Sequence, residues 1–175
     1  ENKKRVCVID SCDSFFWIIL KNGRSEKEVG ELISKIEKIE LDEKGRNTKV
    51  EKVEKHQKKF LDKEVDALKV FVTNHKDLHA VASEIGESEI IEKRRGYDLN
   101  YVTHYLNERK ISPLKCYSVE GELLNGSSEF GGIDSSLDVD FCIKLESYKE
   151  IEDESFSPRV LAYDIETDEL KVGGG

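Results

Sequence analysis

Val65-Asp-Ala-Leu-Lys-Val-Phe-Val-Thr-Asn-His-Lys-Asp-Leu-His-Ala-Val-Ala-Ser-Glu-Ile-Gly86 is two patterns joined near one asparagine. From Val65 to Thr73 the β-branched and aromatic residues predict a strand, with Leu68, Val70 and Val72 on one of its faces. From Asp77 onward Leu78, Val81, Ala82 and Ile85 fall at helical spacing instead. Asn74 stands where a helix N-cap belongs and Gly86 where a helix stops. A strand feeding directly into a helix predicts an α+β fold, a mostly antiparallel sheet with two or three packed helices.

Upstream, Val6 and Val8 and then Phe15 to Leu20 predict two short strands, separated by the turn-forming Asp10, Ser11, Asp13 and Ser14. A hairpin is the simplest geometry for them. Ser25 followed by Glu28 has the form of a capping box, and Val29, Leu32, Ile33 and Ile36 place an amphipathic helix from Ser25 to Lys38. Thr48 to Phe60 is ambiguous, because Val50 and Val53 are three apart while the charges are spread evenly. The expectation there is an exposed strand.

Downstream, Asp98 is expected to cap a second helix carrying Leu99, Val102, Tyr105 and Leu106, with Pro113 barring its continuation. Tyr97, Tyr101 and Tyr105 recur every four residues, as one stripe of that helix would. Leu114 to Leu124 and Leu137 to Tyr148 predict a hairpin joined by a Gly/Ser-rich segment, Asn125 to Ser136. Arg159 to Ile165 predicts a short apolar strand, followed by a polar stretch and Gly173 to Gly175.

The 175 residues carry a formal charge of −9, and charged residues make up 37% of them. From Val119 to Ser157 eleven acids face only Lys144 and Lys149, so the remainder of the chain is neutral overall. Within that remainder, Glu43 to Lys63 is basic, with eight Lys and Arg against four acids. That stretch suits either a phosphate backbone or a solvated strand face, whereas the whole chain is too acidic for a freestanding DNA-binding module. No apolar run approaches the roughly 20 residues of a membrane span, and the expectation is a soluble, cytoplasmic protein without membrane partners. Cys7, Cys12, Cys116 and Cys142 form no CxxC and read as reduced, mostly buried thiols; a zinc site would need Cys7 and Cys12 to join a distant pair or His75 and His79.

Val160-Leu-Ala-Tyr-Asp-Ile-Glu-Thr167 puts Asp164 and Glu166 at i and i+2, on one face of the predicted strand. Carboxylates are the hard oxygen donors that Mg²⁺ and Mn²⁺ prefer. Two-metal phosphodiester hydrolysis gathers several acids around ions about 4 Å apart, so two are too few. By themselves these residues leave open a noncatalytic nucleic-acid- or protein-binding module in which the motif is coincidental.

Val50-Glu-Lys-Val with Lys59-Phe-Leu, Lys69-Val-Phe-Val, and above all Tyr97-Asp-Leu-Asn-Tyr-Val-Thr-His-Tyr-Leu106 with Ile111-Ser-Pro113 resemble the N-terminal domain of archaeal family B DNA polymerases. Asp164-Ile-Glu-Thr167 resembles the first motif of their ribonuclease H-like 3′→5′ exonuclease domain. The resemblance implies a DNA-directed DNA polymerase with proofreading, of which residues 1–157 are the template-side domain, with a variable acidic hairpin at about 114–150. Residues 158–175 are then the start of the exonuclease domain, and the family's first strand lies upstream of Glu1.

In that reading Asp164 and Glu166 bind Mg²⁺ or Mn²⁺ in the complete enzyme. The partners are single-stranded template and primer-template DNA, the rest of the polymerase chain, and a sliding clamp reached through that rest. A split polymerase completed by a second chain is a further possibility. Carried over by position, a pocket for template uracil involves Ser14, Phe15, His75, Leu78, Leu99, Tyr101 and His104. Ser14 and His75 stand where the family usually has proline, and His104 where it usually has arginine.

Overall fold

The computed structural model describes residues 4–124 and 137–152. These fall into two compact units: Asp10–Ile111, and the flanking residues before Asp10 and after Ile111. The larger unit is a five-stranded sheet with three helices. Its strands are β2 (Phe15–Leu20), β3 (Glu40–Glu43), β4 (Arg46–Phe60), β5 (Lys63–Val72) and β6 (Ile91–Arg95), in the order β3-β4-β5-β2-β6. Its helices are α1 (Glu26–Ile36), α2 (Leu78–Ile85) and α3 (Tyr101–Arg109). The flanking unit is a three-stranded sheet in the order β1-β8-β7, from β1 (Val6–Ile9), β7 (Cys116–Leu124) and β8 (Phe141–Ile151). The five-stranded sheet is antiparallel at every pairing, and among the described residues the only parallel pair is β1 with β8.

The main core lies on one face of the five-stranded sheet. Phe16, Ile18 and Leu20 of β2 and Leu68, Val70 and Val72 of β5 meet Val29, Leu32 and Ile36 of α1 and Leu78, Val81 and Ala82 of α2. The capping box of α1 forms as its sequence predicts: the Glu28 amide donates to Ser25 Oγ, and the Ser25 amide donates to the Glu28 carboxylate at 2.8 Å. Asn74 accepts from the Lys76 amide and opens a 3-10 turn, His75–Asp77, that leads into α2. Gly86 ends α2 at φ +67°, a conformation that glycine takes without cost.

The three-residue spacing of Val50 and Val53 has a physical explanation within a strand. A bulge places Glu51 and Lys52 together opposite Phe71, so Val50 pairs with Val72 and Val53 with Val70, and both valines reach the core. At the other end of the same hairpin, Leu61 (φ 47°) and Asp62 (φ 63°) form the two-residue turn, without the glycine such turns favour.

Three expectations are corrected. The strands β1 and β2 form no hairpin: β1 pairs in parallel with β8, and β2 lies between β5 and β6. The intervening polar residues are engaged elsewhere, Asp10 by Arg109 and the Ser14 carbonyl by the Val72 amide at 2.8 Å. The cap of α3 is Asn100, whose side chain accepts from the Thr103 amide at 2.9 Å, and not Asp98. Asp and Asn cap equally well, so two candidates two residues apart are indistinguishable by propensity. Tyr97 therefore lies off the helix and packs on the core, 6.5 Å from the Phe16 ring, and the tyrosines form no single stripe. The helix ends at Arg109, ahead of Pro113, with Lys110 in the left-handed region. The strands β3 and β6 carry mostly charged residues and have no periodic apolar signal to announce them.

One buried charge ties the sheet to α2. Asp77, with its side chain 3% exposed, accepts from Arg46 Nε at 3.0 Å and from the buried Thr48 hydroxyl at 2.6 Å. Hydrogen bonding from Arg46 holds its carboxyl below the usual carboxylate range, against the opposing effect of burial. Asp77→Ala leaves the Thr48 hydroxyl without its acceptor and Arg46 without its partner, and should cost about 2–4 kcal/mol. Loss of the α1 cap in Ser25→Ala should cost about 1 kcal/mol. Urea denaturation checks the ranking, which an equal or larger loss in the cap variant would contradict.

Candidate functional site

The sequence-predicted pocket residues come from the start of β2, the turn before α2 and the start of α3. The structure gathers four of them into one ring cluster. His104 meets Phe15 edge-on with centroids 4.4 Å apart, His75 lies 5.3 Å from His104, and Tyr101 lies 5.1 Å from His75. Phe15 and His104 are buried, while Tyr101 is 45% exposed and forms the open side. Leu99 lies just ahead of α3 and enters through its carbonyl, which accepts from His75 Nε2 at 3.1 Å. Ser14 borders the cluster as the residue before Phe15. Leu78 belongs instead to the main core.

Both imidazoles are fixed by their bonds. His104 Nε2 donates to the Asp13 carbonyl at 3.2 Å, so in the neutral ring the proton sits on Nε2. His75 Nε2 is committed in the same way to Leu99, which leaves Nδ1 as an acceptor; that atom is buried and has no hydrogen-bond partner among the described residues. Desolvation pushes the His104 pKa below its ordinary value, and the neighbouring His75 adds to this, while the bond to Asp13 opposes it.

Two residues that sequence reading did not single out hold this arrangement. Asp10 accepts from the Tyr105 hydroxyl and from Arg109 Nη2, both at 3.0 Å, and Arg109 also donates to the Ser11 carbonyl at 2.7 Å. These bonds lock α3 onto the segment leading into β2, so His104 is delivered to Phe15. Their only sequence signal was an acid in a turn and a base near a helix end, a pattern common to many unrelated proteins.

Asp164 and Glu166 lie outside the described residues, as do the segment 125–136 and the predicted strand 159–165. Among the described residues no three His, Cys, Asp or Glu side chains gather as a metal site, so the zinc combinations are not assembled there. Of the four cysteines Cys142 alone is buried and Cys7, Cys12 and Cys116 are half-buried, which corrects the expectation of mostly buried thiols. Partial burial pushes the Cys12 thiol up, with Glu108 adding to it, which disfavours the thiolate that would bind metal. No described helix is long and apolar enough to cross a membrane.

Comparison with known proteins gives a consistent direction. No family model matches the chain. It is 28% identical over 103 residues to a DNA polymerase of Thermococcus kodakarensis, which covers 59% of this chain and 6% of that protein. It is 26% identical over 83 residues to DNA polymerase 1 of Pyrococcus abyssi, 47% of this chain and 11% of that protein. The fold matches the family B DNA polymerase of Pyrobaculum calidifontis with a TM-score of 0.60 at 14% identity, over 87% of this chain and 17% of that one. The resemblance is to archaeal family B DNA polymerases. The chain spans only a small part of the length of these polymerases, and the likeness to the solved polymerase is one of fold.

The lowered His104 pKa has a direction that can be tested. The folded state binds fewer protons at this site than the unfolded chain, so its stability contribution is complete above the unfolded range, about pH 6.5, and declines as pH falls through that range toward the lower folded value. His104→Phe keeps a ring beside Phe15 and removes the titration. Urea midpoints at about pH 7.5 and about pH 5.5 should therefore fall more for the unmodified chain than for this variant. An equal fall in both would show that protonation of His104 does not matter.

Proposed function

We propose that this chain is the template-side N-terminal part of a DNA-directed DNA polymerase with 3′→5′ proofreading. Residues 1–157 form the domain that contacts single-stranded template, and residues 158–175 begin the exonuclease domain. The observation that carries the reading is the convergence of Phe15, His75, Tyr101 and His104 from three separate elements onto one partly open ring cluster. The sequence relatives named DNA polymerase support the same direction.

For a pyrimidine set against the exposed side of Tyr101, the acceptor for its N3–H would be the Nδ1 of His75, which is buried in the cluster and has to be uncovered for that bond to form. Uracil and thymine both carry that proton, so discrimination falls to how closely Phe15 and His104 close around the C5 position. With histidine in place of the family's usual arginine, and with that histidine's pKa lowered, the cluster itself supplies no fixed positive charge for phosphate. Uracil capture therefore rests on shape and one hydrogen bond. Fluorescence anisotropy of uracil- and thymine-containing single strands titrated with the chain tests this, with tighter binding of the uracil strand expected. Equal affinities would remove uracil recognition from the proposal.

The donor set Asp164 and Glu166 fits Mg²⁺ or Mn²⁺ by its hard oxygen chemistry, and in the complete enzyme these two residues would hold the metal that supplies hydrolysis. Two carboxylates do not make a two-metal site. The chain by itself is expected to release no nucleotides from a labelled single strand in the presence of Mg²⁺, and metal-dependent degradation by a nuclease-free preparation would contradict this.

A further inference from the structure

The second face of the five-stranded sheet, opposite the main core, carries cations and rings, with α3 against it at Phe15 and Lys69. On β2 it carries Phe15 and Trp17, on β5 Lys69 and Phe71, on β4 Lys52, His56, Lys58 and Phe60, and on β6 Lys93 and Arg95. The ammonium of Lys69 lies 3.7 Å from the Phe15 ring centroid and that of Lys52 lies 4.1 Å from Phe71. Lys58 sits 4.2 Å from Trp17, and Lys93 and Arg95 reach the Phe60 ring at 5.8 and 5.7 Å.

The charges on this face divide into two sets. Lys52 and Lys69 are neutralised by Glu54 and Glu108, at 2.7 and 3.2 Å. Among the described residues Lys58, Lys93 and Arg95 have ring contacts and no acidic partner. The rings divide the same way. Phe15 and Phe71 are buried, whereas Trp17 and Phe60 are half-buried and His56 is exposed. The accessible rings and the unpaired cations therefore interleave.

We infer that this face, with Trp17, His56 and Phe60 as stacking surfaces and Lys58, Lys93 and Arg95 as phosphate contacts, binds single-stranded DNA. Bases stack on aromatic rings regardless of sequence, and cations between the rings track the backbone. An exposed cation–π contact is weaker than a base stack, so a base displaces Lys58 from Trp17 and frees its ammonium for the phosphate. Duplex DNA keeps its bases stacked inside and gains nothing from the rings. The assignment to DNA rests on the polymerase reading; the surface borders the uracil cluster at Phe15 and Lys69, while its proposed contacts Trp17, His56, Phe60, Lys58, Lys93 and Arg95 are not members of that cluster. The acids that make the chain negative lie mostly between Glu120 and Glu154, outside the unit that carries this face.

Trp17 is the chain's one tryptophan, so its emission reports on this surface directly. Titrating the chain at low salt with an oligothymidylate of about 12 nucleotides should give saturable quenching. In anisotropy with labelled oligothymidylate, Trp17→Ala should weaken binding about tenfold, and Trp17→Phe should recover most of that loss. Combined replacement of Lys58, Lys93 and Arg95 by alanine should reduce the slope of log affinity against log salt by about 2. Absence of quenching, an unchanged salt slope in the triple variant, or equal quenching by duplex DNA of the same length would overturn the inference. The two proposals fail separately. Lost uracil preference with quenching intact removes the uracil cluster alone, and lost quenching with uracil preference intact removes the sheet face alone.

Discussion

Strand β5 must satisfy demands on all four of its sides. Its edges are taken by β4 and β2, so every backbone group along their shared length finds a partner in the sheet. One face buries Leu68, Val70 and Val72 under α1 and α2, and the other buries Ala67 and Phe71 beneath cations and rings. A shift of one residue would exchange these faces and set Lys69 into the helical core. The placement of β2, the angle at which the chain enters α2, and the site of the ring cluster all follow from that one register. Thr73, the residue after β5, accepts from the Lys49 amide and donates its own amide to the Lys49 carbonyl, which ties the base of the hairpin beside the Asp77 charge cluster.

Legibility in the sequence tracked how local the cause was. The α1 cap, the α2 stop and the faces of β5 are set by residues a few positions apart, and they were read correctly, although β5 starts two residues earlier than expected, at Lys63. The hairpin expected of β1 and β2 failed because pairing partners are chosen by long-range burial. β2 is apolar on both faces and suits an interior position, while β1 alternates and suits an edge. The charged edge strands β3 and β6 were silent because each puts a single apolar residue, Leu41 or Ile91, against the core, too few to give a periodic signal.

The candidate site was legible in membership more than in arrangement. Resemblance by position named Phe15, His75, Tyr101 and His104, and the structure brings these together. It did not foresee that Leu99 would contribute a carbonyl and not a helical side chain, or that Leu78 would turn into the core. The His75 imidazole bridges to the segment before α3 by a hydrogen bond across 24 positions of sequence.

The bulge at Glu51 has a bearing on which changes of chain length β4 can absorb. Glu51 and Lys52 share one partner, so deleting Glu51 would restore regular pairing and leave every residue from Lys52 to Phe60 on its present face. Losing a single residue between Val53 and Phe60 would instead reverse the faces of part of the strand, turning lysines toward the core. Glu51 is thus the strand's spare residue, and the distribution of charge across the sheet depends on chain length at this point as much as on composition.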